Sequence, residues 1–172
     1  MKLIPIETED FEAIYAEMER AFVLEERRDF APARELLQNP LYTVYHLEAD
    51  GLRIGFVCIW KLDGWAFIEH FVVYEAYRNR GFGAEVLRVI KREFPQLVLE
   101  VERPETEIAA RRIGFYERCG FSQNPYPYRQ PSYRGVGGEL DMILMTYPAP
   151  CPNCKELVRL LYDCVYHVPL AE

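Results

Sequence analysis

Apolar positions along the chain follow two periods. Residues 41–48, 52–62 and 65–73 are dense in β-branched and aromatic side chains, and Asp50-Gly51 and Asp63-Gly64 separate them. Such pairs favour the positive φ of tight hairpin turns, so three consecutive antiparallel strands are expected. Residues 1–6, 97–101 and 140–147 read as further strands, with another expected from Phe121 onward. Elsewhere apolar residues recur three and four apart, which is helical spacing. Phe11, Ile14, Tyr15 and Met18 predict a helix over 8–20 with Thr8 as its cap, and Val86, Leu87, Ile90 and Phe94 predict one over 83–94. Ile108, Arg112, Phe115 and Cys119 mark a third helix over 105–118, and Leu157, Leu160, Leu161 and Val165 a fourth within 151–168. A short helix is expected at 32–38, between Pro32 and the breaker Asn39-Pro40. A connection rich in Gly, Pro and Tyr covers 122–139. No repeat or long linker divides the chain, so residues 1–172 are read as one domain, with 148–172 a C-terminal helical extension.

Composition narrows the class. With 172 residues, half of them hydrophobic and 14% aromatic, the chain can bury a real core. A formal net charge of −7 argues against nonspecific nucleic-acid binding, which needs a basic surface. No apolar run reaches the length of a membrane span, and the first residues lack the apolar stretch of a signal peptide. A cytoplasmic location, with no membrane partner, is therefore expected. The five cysteines are an odd number and read as reduced thiols, with Cys58 in the core. Cys151 and Cys154 have the spacing of a zinc knuckle, and Cys164 and His167 would complete four ligands on paper. A second cysteine pair at that spacing is absent, so helix-end packing is preferred and no metal is expected.

Candidate chemistry is concentrated between Ile68 and Arg88. A buried strand ending at Phe71-Val72-Val73 leads into Arg78-Asn79-Arg80-Gly81-Phe82-Gly83, and helical spacing begins at Ala84. A helix opening at a glycine loop leaves its first N–H groups free, which suits a phosphate or pyrophosphate. Gly81 and Gly83 would let the backbone approach the anion, while Arg78 and Arg80 add forked cationic donors. The loop lacks the Lys-Ser/Thr of a P-loop and the three-glycine spacing of a dinucleotide fingerprint. Taken alone, such a loop is also consistent with a plain strand-to-helix turn. The pattern Arg-x-x-Gly-x-Gly at 78–83 resembles the coenzyme A loop of the GCN5-related N-acetyltransferases (GNAT). A second stretch, Phe115-Tyr116-Glu117-Arg118-Cys119-Gly120-Phe121, resembles that family's second signature, in the family's order and at about its separation. The resemblance extends from the first strand to about Tyr147.

The resemblance implies an α/β (α+β) fold: a mixed, mostly antiparallel sheet splayed around an acetyl-CoA cleft and flanked by helices. It implies an acetyl-CoA-dependent N-acetyltransferase acting on a primary amine of a small molecule or peptide. The main chain at Phe71, Val72 and Val73 would bind the pantetheine arm, with an N–H near Phe71 as oxyanion donor. The N–H groups of Asn79, Arg80, Gly81, Phe82, Gly83 and Ala84 would hold the pyrophosphate, with Arg78 at the start of that loop. Tyr116 matches the general acid that protonates the leaving thiolate. Glu69 and Glu100, on strands either side of the opening, are both candidates for the base. Strand alternation puts Glu69 on the face of Phe67 and Phe71, and His70 on the opposite, structural face. Where the family often carries Asn before its tyrosine, this chain has Ala109, which weakens one CoA contact and leaves an alternative: a non-catalytic acyl-CoA sensor of the same fold. Glu25, Glu26 and Arg28 fall where the family often builds a wall of the acceptor site. Tyr126, Tyr128 and Tyr133 could stack on a substrate or cage an ammonium, or pack a surface loop. The acidic balance favours a cationic amine. The terminal helix is a candidate homodimer contact.

Overall fold

The computed structural model describes residues 1–135 and 137–170. β1 (Lys2–Pro5) is followed by a 3-10 turn, α1 (Phe11–Ala21), a charged loop and α2 (Phe30–Glu35). Strands β2 (Tyr42–Ala49), β3 (Leu52–Lys61) and β4 (Ala66–Val73) form the expected antiparallel meander. Asp50 and Gly51 both take positive φ at the first turn, 51° and 77°. The chain continues through α3 (Phe82–Glu93), β5 (Leu97–Glu102) and α4 (Glu107–Arg118). Two short strands, β6 (Ser122–Gln123) and β7 (Tyr128–Gln130), precede β8 (Leu140–Tyr147), and α5 (Cys154–Leu161) runs into a π turn over Tyr162–Tyr166. No helix among the described residues is long and apolar enough to cross a membrane.

The sheet order is β1-β2-β3-β4-β5-β8-β6, with β7 also on β8. All pairs are antiparallel except β4 with β5. Helices cover both faces. Phe11, Ile14 and Met18 of α1 and Leu157 and Leu161 of α5 pack on Phe56, Trp60, Phe67 and Leu144. Val86, Leu87 and Ile90 of α3 and Ile113 of α4 pack on Val57, Ile59, Leu97 and Leu99 on the other side. Each such side chain, fully buried, contributes about 1.5–3 kcal/mol.

The parallel pair is the shortest of the central ladders. Ala66, Phe67 and Ile68 pair with Leu97, Val98 and Leu99, and there the pairing stops. β4 stays on β3 as far as Val73, and β5 stays on β8 as far as Glu102. Each strand keeps its outer partner, so the sheet parts between them. A bulge sits at the parting point: β3 pairs Cys58 with His70 and Ile59 with Ile68, leaving Glu69 as the extra residue. A bulge bends its strand and sharpens the local twist.

Several details depart from the sequence expectations. Thr8 is not a cap; it lies inside the 3-10 turn that precedes α1. The bulge breaks the alternation used to place Glu69: Phe67 joins one core and Phe71 packs on the other. The apolar face of α5 is occupied within the chain, where Leu157, Val158 and Leu161 are buried.

Candidate active site

The glycine loop has the backbone its sequence requires. Gly81, at φ 82°, is the residue from which α3 starts, and Asn79 takes φ 60°. Alternating left-handed residues at a helix start turn successive N–H groups toward one point, an arrangement suited to an anion. Arg78 Nε donates to Val73 O at 2.9 Å, tying the loop to the end of β4. Gly83 has a reason within the fold as well: a Cβ there would lie 3.1 Å from the Phe115 ring. It lets α3 meet α4, so the loop signature and the Phe-Tyr signature are in contact.

Beyond Ile68 the inner side of β4 has no strand partner among the described residues. The opening is a cleft of about 360 Å3 that brings together Glu69, Phe71–Val73, Arg78, Glu100 and Tyr116. The positions expected from sequence to bind the pantetheine arm thus share one cavity with every candidate catalytic side chain. Tyr116 comes from α4, whose last turn closes at Gly120 with φ 84°. Its ring stands edge-on to Phe121, with centroids 5.6 Å apart. Burial pushes its phenol up to about 12, so the hydroxyl is a proton donor across the neutral range.

The two carboxylates sit where the sheet parts, in opposite surroundings. The Glu69 side chain is 0% exposed and takes Arg28 Nη1 at 2.6 Å, with His70 Nδ1 at 3.5 Å. Burial alone would raise its pKa, but the Arg28 charge and the contacts with His70 outweigh burial and bring it down to about 2. Burial likewise opposes a charge on His70, yet its contacts with Cys58 and Glu69 lift it to about 10. His70 Nε2 bonds Glu26 O at 3.0 Å, so it stands beside Glu69 rather than on an opposite face. Among the described residues Glu100 forms no ion pair with a cation. It accepts from Tyr128, from Gln130 Nε2 at 2.6 Å and from Tyr166, whose hydroxyl is 2.8 Å from each carboxylate oxygen. Burial pushes it up to about 7 against those three donors.

The remaining candidates divide. Arg28 is inside the site: besides Glu69 it bonds Val165 O at 2.8 Å and lies over the Tyr133 ring at 4.4 Å. Tyr128 and Tyr133 point inward, the first onto Glu100 and the second onto Arg28 and Tyr166. Tyr126 packs at the edge of the core. Glu25 and Glu26 line a second cleft, of about 430 Å3, with Glu102 and Ala109. Cys151 and Cys154 sit at the start of α5, where Asn124 Oδ1 accepts from Cys151 N at 2.7 Å. No metal-binding group of three or more His, Cys, Asp or Glu occurs among the described residues. Gln130 and Tyr166 escaped sequence reading. They reach Glu100 from 30 and 66 residues away, and no local pattern marks them.

The acetyltransferase (GNAT) family model matches residues 7–121, which ends before Tyr128, Gln130 and Tyr166. A GNAT-family acetyltransferase from Bacteroides thetaiotaomicron has 31% identity, with 98% of this chain and 99% of that one aligned at a TM-score of 0.92. A spermidine N-acetyltransferase from Vibrio cholerae shares the fold at 16% identity, covering 84% of this chain and 91% of that one, TM-score 0.60. A ribosomal-protein-alanine N-acetyltransferase from Brucella melitensis does so at 17% identity, covering 85% and 98%, TM-score 0.59. No curated protein matches the sequence significantly.

Proposed function

The chain belongs to the GNAT acetyltransferase family, and on that footing we propose that it moves the acetyl group of acetyl-CoA to a primary amine of a small molecule or peptide. The observation that carries this reading is the parting of β4 from β5, where one cleft joins the free side of β4, Arg78, Tyr116 and Glu100. Acetyl-CoA supplies an acetyl group activated as a thioester. The main chain at Phe71, Val72 and Val73 binds its pantetheine arm as an added strand would. The N–H groups from Asn79 to Ala84, with Arg78, hold the pyrophosphate. A main-chain N–H near Phe71 faces the carbonyl oxygen as charge develops there.

Proton traffic follows from the two environments. The acceptor nitrogen bonds to the carbonyl carbon while Glu100 takes the proton it loses, and the C–S bond breaks while Tyr116 protonates the sulfur. A base is most useful with a pKa near the working pH, which fits Glu100 at about 7. Glu69 at about 2 is a poor proton acceptor, and its role is to hold Arg28 and His70. The carboxylates of Glu25, Glu26 and Glu102 on the second cleft favour a cationic acceptor.

Thermal unfolding with acetyl-CoA, beside ATP and NAD, tests the cofactor. A hundredfold excess over Kd stabilises by about 2.7 kcal/mol, and a rise in Tm is expected for acetyl-CoA alone. Thiol release is then followed with spermidine, an alanyl peptide and a lysyl peptide as acceptors. Tyr116→Phe is expected to lower kcat by about tenfold to a hundredfold with acetyl-CoA binding retained, a modest loss because a thiolate leaves more easily than an alkoxide. Unchanged turnover would remove the acid role from Tyr116.

A further inference from the structure

The tail that follows β8 reaches both carboxylates at the parting of the sheet, Glu100 directly and Glu69 through Arg28. Asn124 fastens it: the side-chain amide donates to Leu144 O and Thr146 Oγ1, and its carbonyl takes the Cys151 N–H. Farther on, the helix widens into the π turn, a rare geometry that is frequent at functional sites. Two adjacent residues of this turn point to the site. Val165 O accepts from Arg28 Nη2, and Arg28 is the cation on Glu69. Tyr166 donates to Glu100, and its own oxygen takes Gln130 Nε2 at 3.1 Å and lies 3.2 Å from the Tyr133 hydroxyl. Tyr166 is buried, and its ring lies 5.0 Å from that of Tyr133. Its phenol is fixed from three sides, yet it stands outside the family match and no motif covers it.

We propose that Tyr166 is a positioning residue for the transfer reaction, holding the Glu100 carboxylate toward the cleft and favouring its ionised form, so that the tail is a working part of the catalytic site. The inference rests on Glu100 as the base. Around Glu100 stand Glu69 from β4, Arg112 and Tyr116 of α4 on the same cleft, Tyr128 and Gln130 from β7, Tyr133 from the turn after β7, and Tyr162 and Tyr166 from the tail. Glu69 is a like charge and works against ionisation. Tyr128, Gln130 and Tyr166 hydrogen-bond the carboxylate, and a carboxylate gains more from such donors than its neutral acid does. Taking away the Tyr166 hydroxyl therefore favours the neutral acid and raises the pKa of Glu100.

Tyr166→Phe is compared with Tyr162→Phe, which removes a phenol from the same tail. Tyr162 donates to Arg129 O at 2.5 Å and does not hydrogen-bond Glu100. Two readouts are taken: kcat against pH with the amine that the acceptor screen identifies, and the carboxyl C=O stretch against pH by infrared difference, assigned by its loss in Glu100→Gln. For Tyr166→Phe both the acid limb of kcat and the infrared titration should move up by about one pH unit, giving about fivefold lower kcat at pH 7 with KM for acetyl-CoA unchanged. Tyr162→Phe should leave both in place, and Tyr166→Phe should add no further loss to Glu100→Gln. Where the phenylalanine variant does not fold, Tyr166→His keeps a ring donor and should move the limb less. An unmoved titration in folded Tyr166→Phe, or an equal movement in Tyr162→Phe, overturns the inference. The infrared titration needs no acceptor, so it reads Tyr166 even where no amine is acetylated, an outcome that would instead count against the proposed reaction.

Discussion

Glu69 and Glu100 face each other across the same opening, at similar depth, on neighbouring strands. One is surrounded by cations and the other by neutral hydroxyl and amide donors. Their pKa values are driven to about 2 and about 7. Burial acts on both in the same direction, so the partner decides the outcome. A guanidinium makes a permanent anion and a fixed strut; a collar of neutral donors leaves a group that can gain and lose a proton near neutrality.

Exchanging each carboxylate for its amide breaks the comparison most directly. Glu100→Gln should lower kcat by about a thousandfold, since the proton acceptor is gone, while stability changes by less than about 1 kcal/mol. Steady-state kinetics beside urea unfolding reads both numbers. A large loss of stability with activity kept would reverse the roles assigned to the pair. Glu69→Gln should show the opposite profile. It strands the Arg28 charge, which is 10% exposed, and should cost about 3 kcal/mol in unfolding free energy. Its kcat should fall by less than about tenfold, and the acid limb should move to lower pH, because a negative neighbour of Glu100 has gone. An acid limb that disappears in this variant would make Glu69 the base.

The pH dependence of stability, a gradual effect, sharpens the contrast by sign. Folding lowers the pKa of Glu69 from 4.5 to about 2, so its contribution is present above pH 4.5 and is lost as pH falls toward 2. Folding raises that of Glu100 from 4.5 to about 7, so the native state holds the extra proton and stability declines as pH rises across that window. Denaturant titrations from pH 4.5 to 7 should show this decline, at most about 1.4 kcal/mol per pH unit, in the parent protein. Glu100→Gln should weaken it, leaving the share from Glu26 and His70, and Glu69→Gln should keep a decline that ends at lower pH.

Much of the frame is legible in the sequence because the information is local. The Asp-Gly pairs set the hairpins, Gly81 sets the start of α3, and Gly120 ends α4 beside Tyr116. The two carboxylates are legible in the sequence as candidates, but their difference is not. Glu69 sits in a bulge, and a bulge is a mismatch between two strands that neither strand shows alone. Alternation counted straight through it put His70 on the wrong side. The pairing of Arg28 with Glu69 is not legible either, because the rings of Trp60 and Tyr133 that pack on it come from distant segments. Gln130 and Tyr166 likewise meet Glu100 only after the sheet has closed.

The tail also has a consequence for the order in which the enzyme matures. Chains leave the ribosome from the N-terminus and fold as they emerge. The loop at Arg78–Gly83, Glu100 and Tyr116 are all translated before Val165 and Tyr166. A nascent chain therefore carries the Arg78–Gly83 loop and Tyr116 while its Glu100 lacks the tail's phenol and its Arg28 lacks the carbonyl of Val165. On the roles proposed above, the last turn tunes a site whose loop, base and acid are already in the chain, and full rate waits on its synthesis.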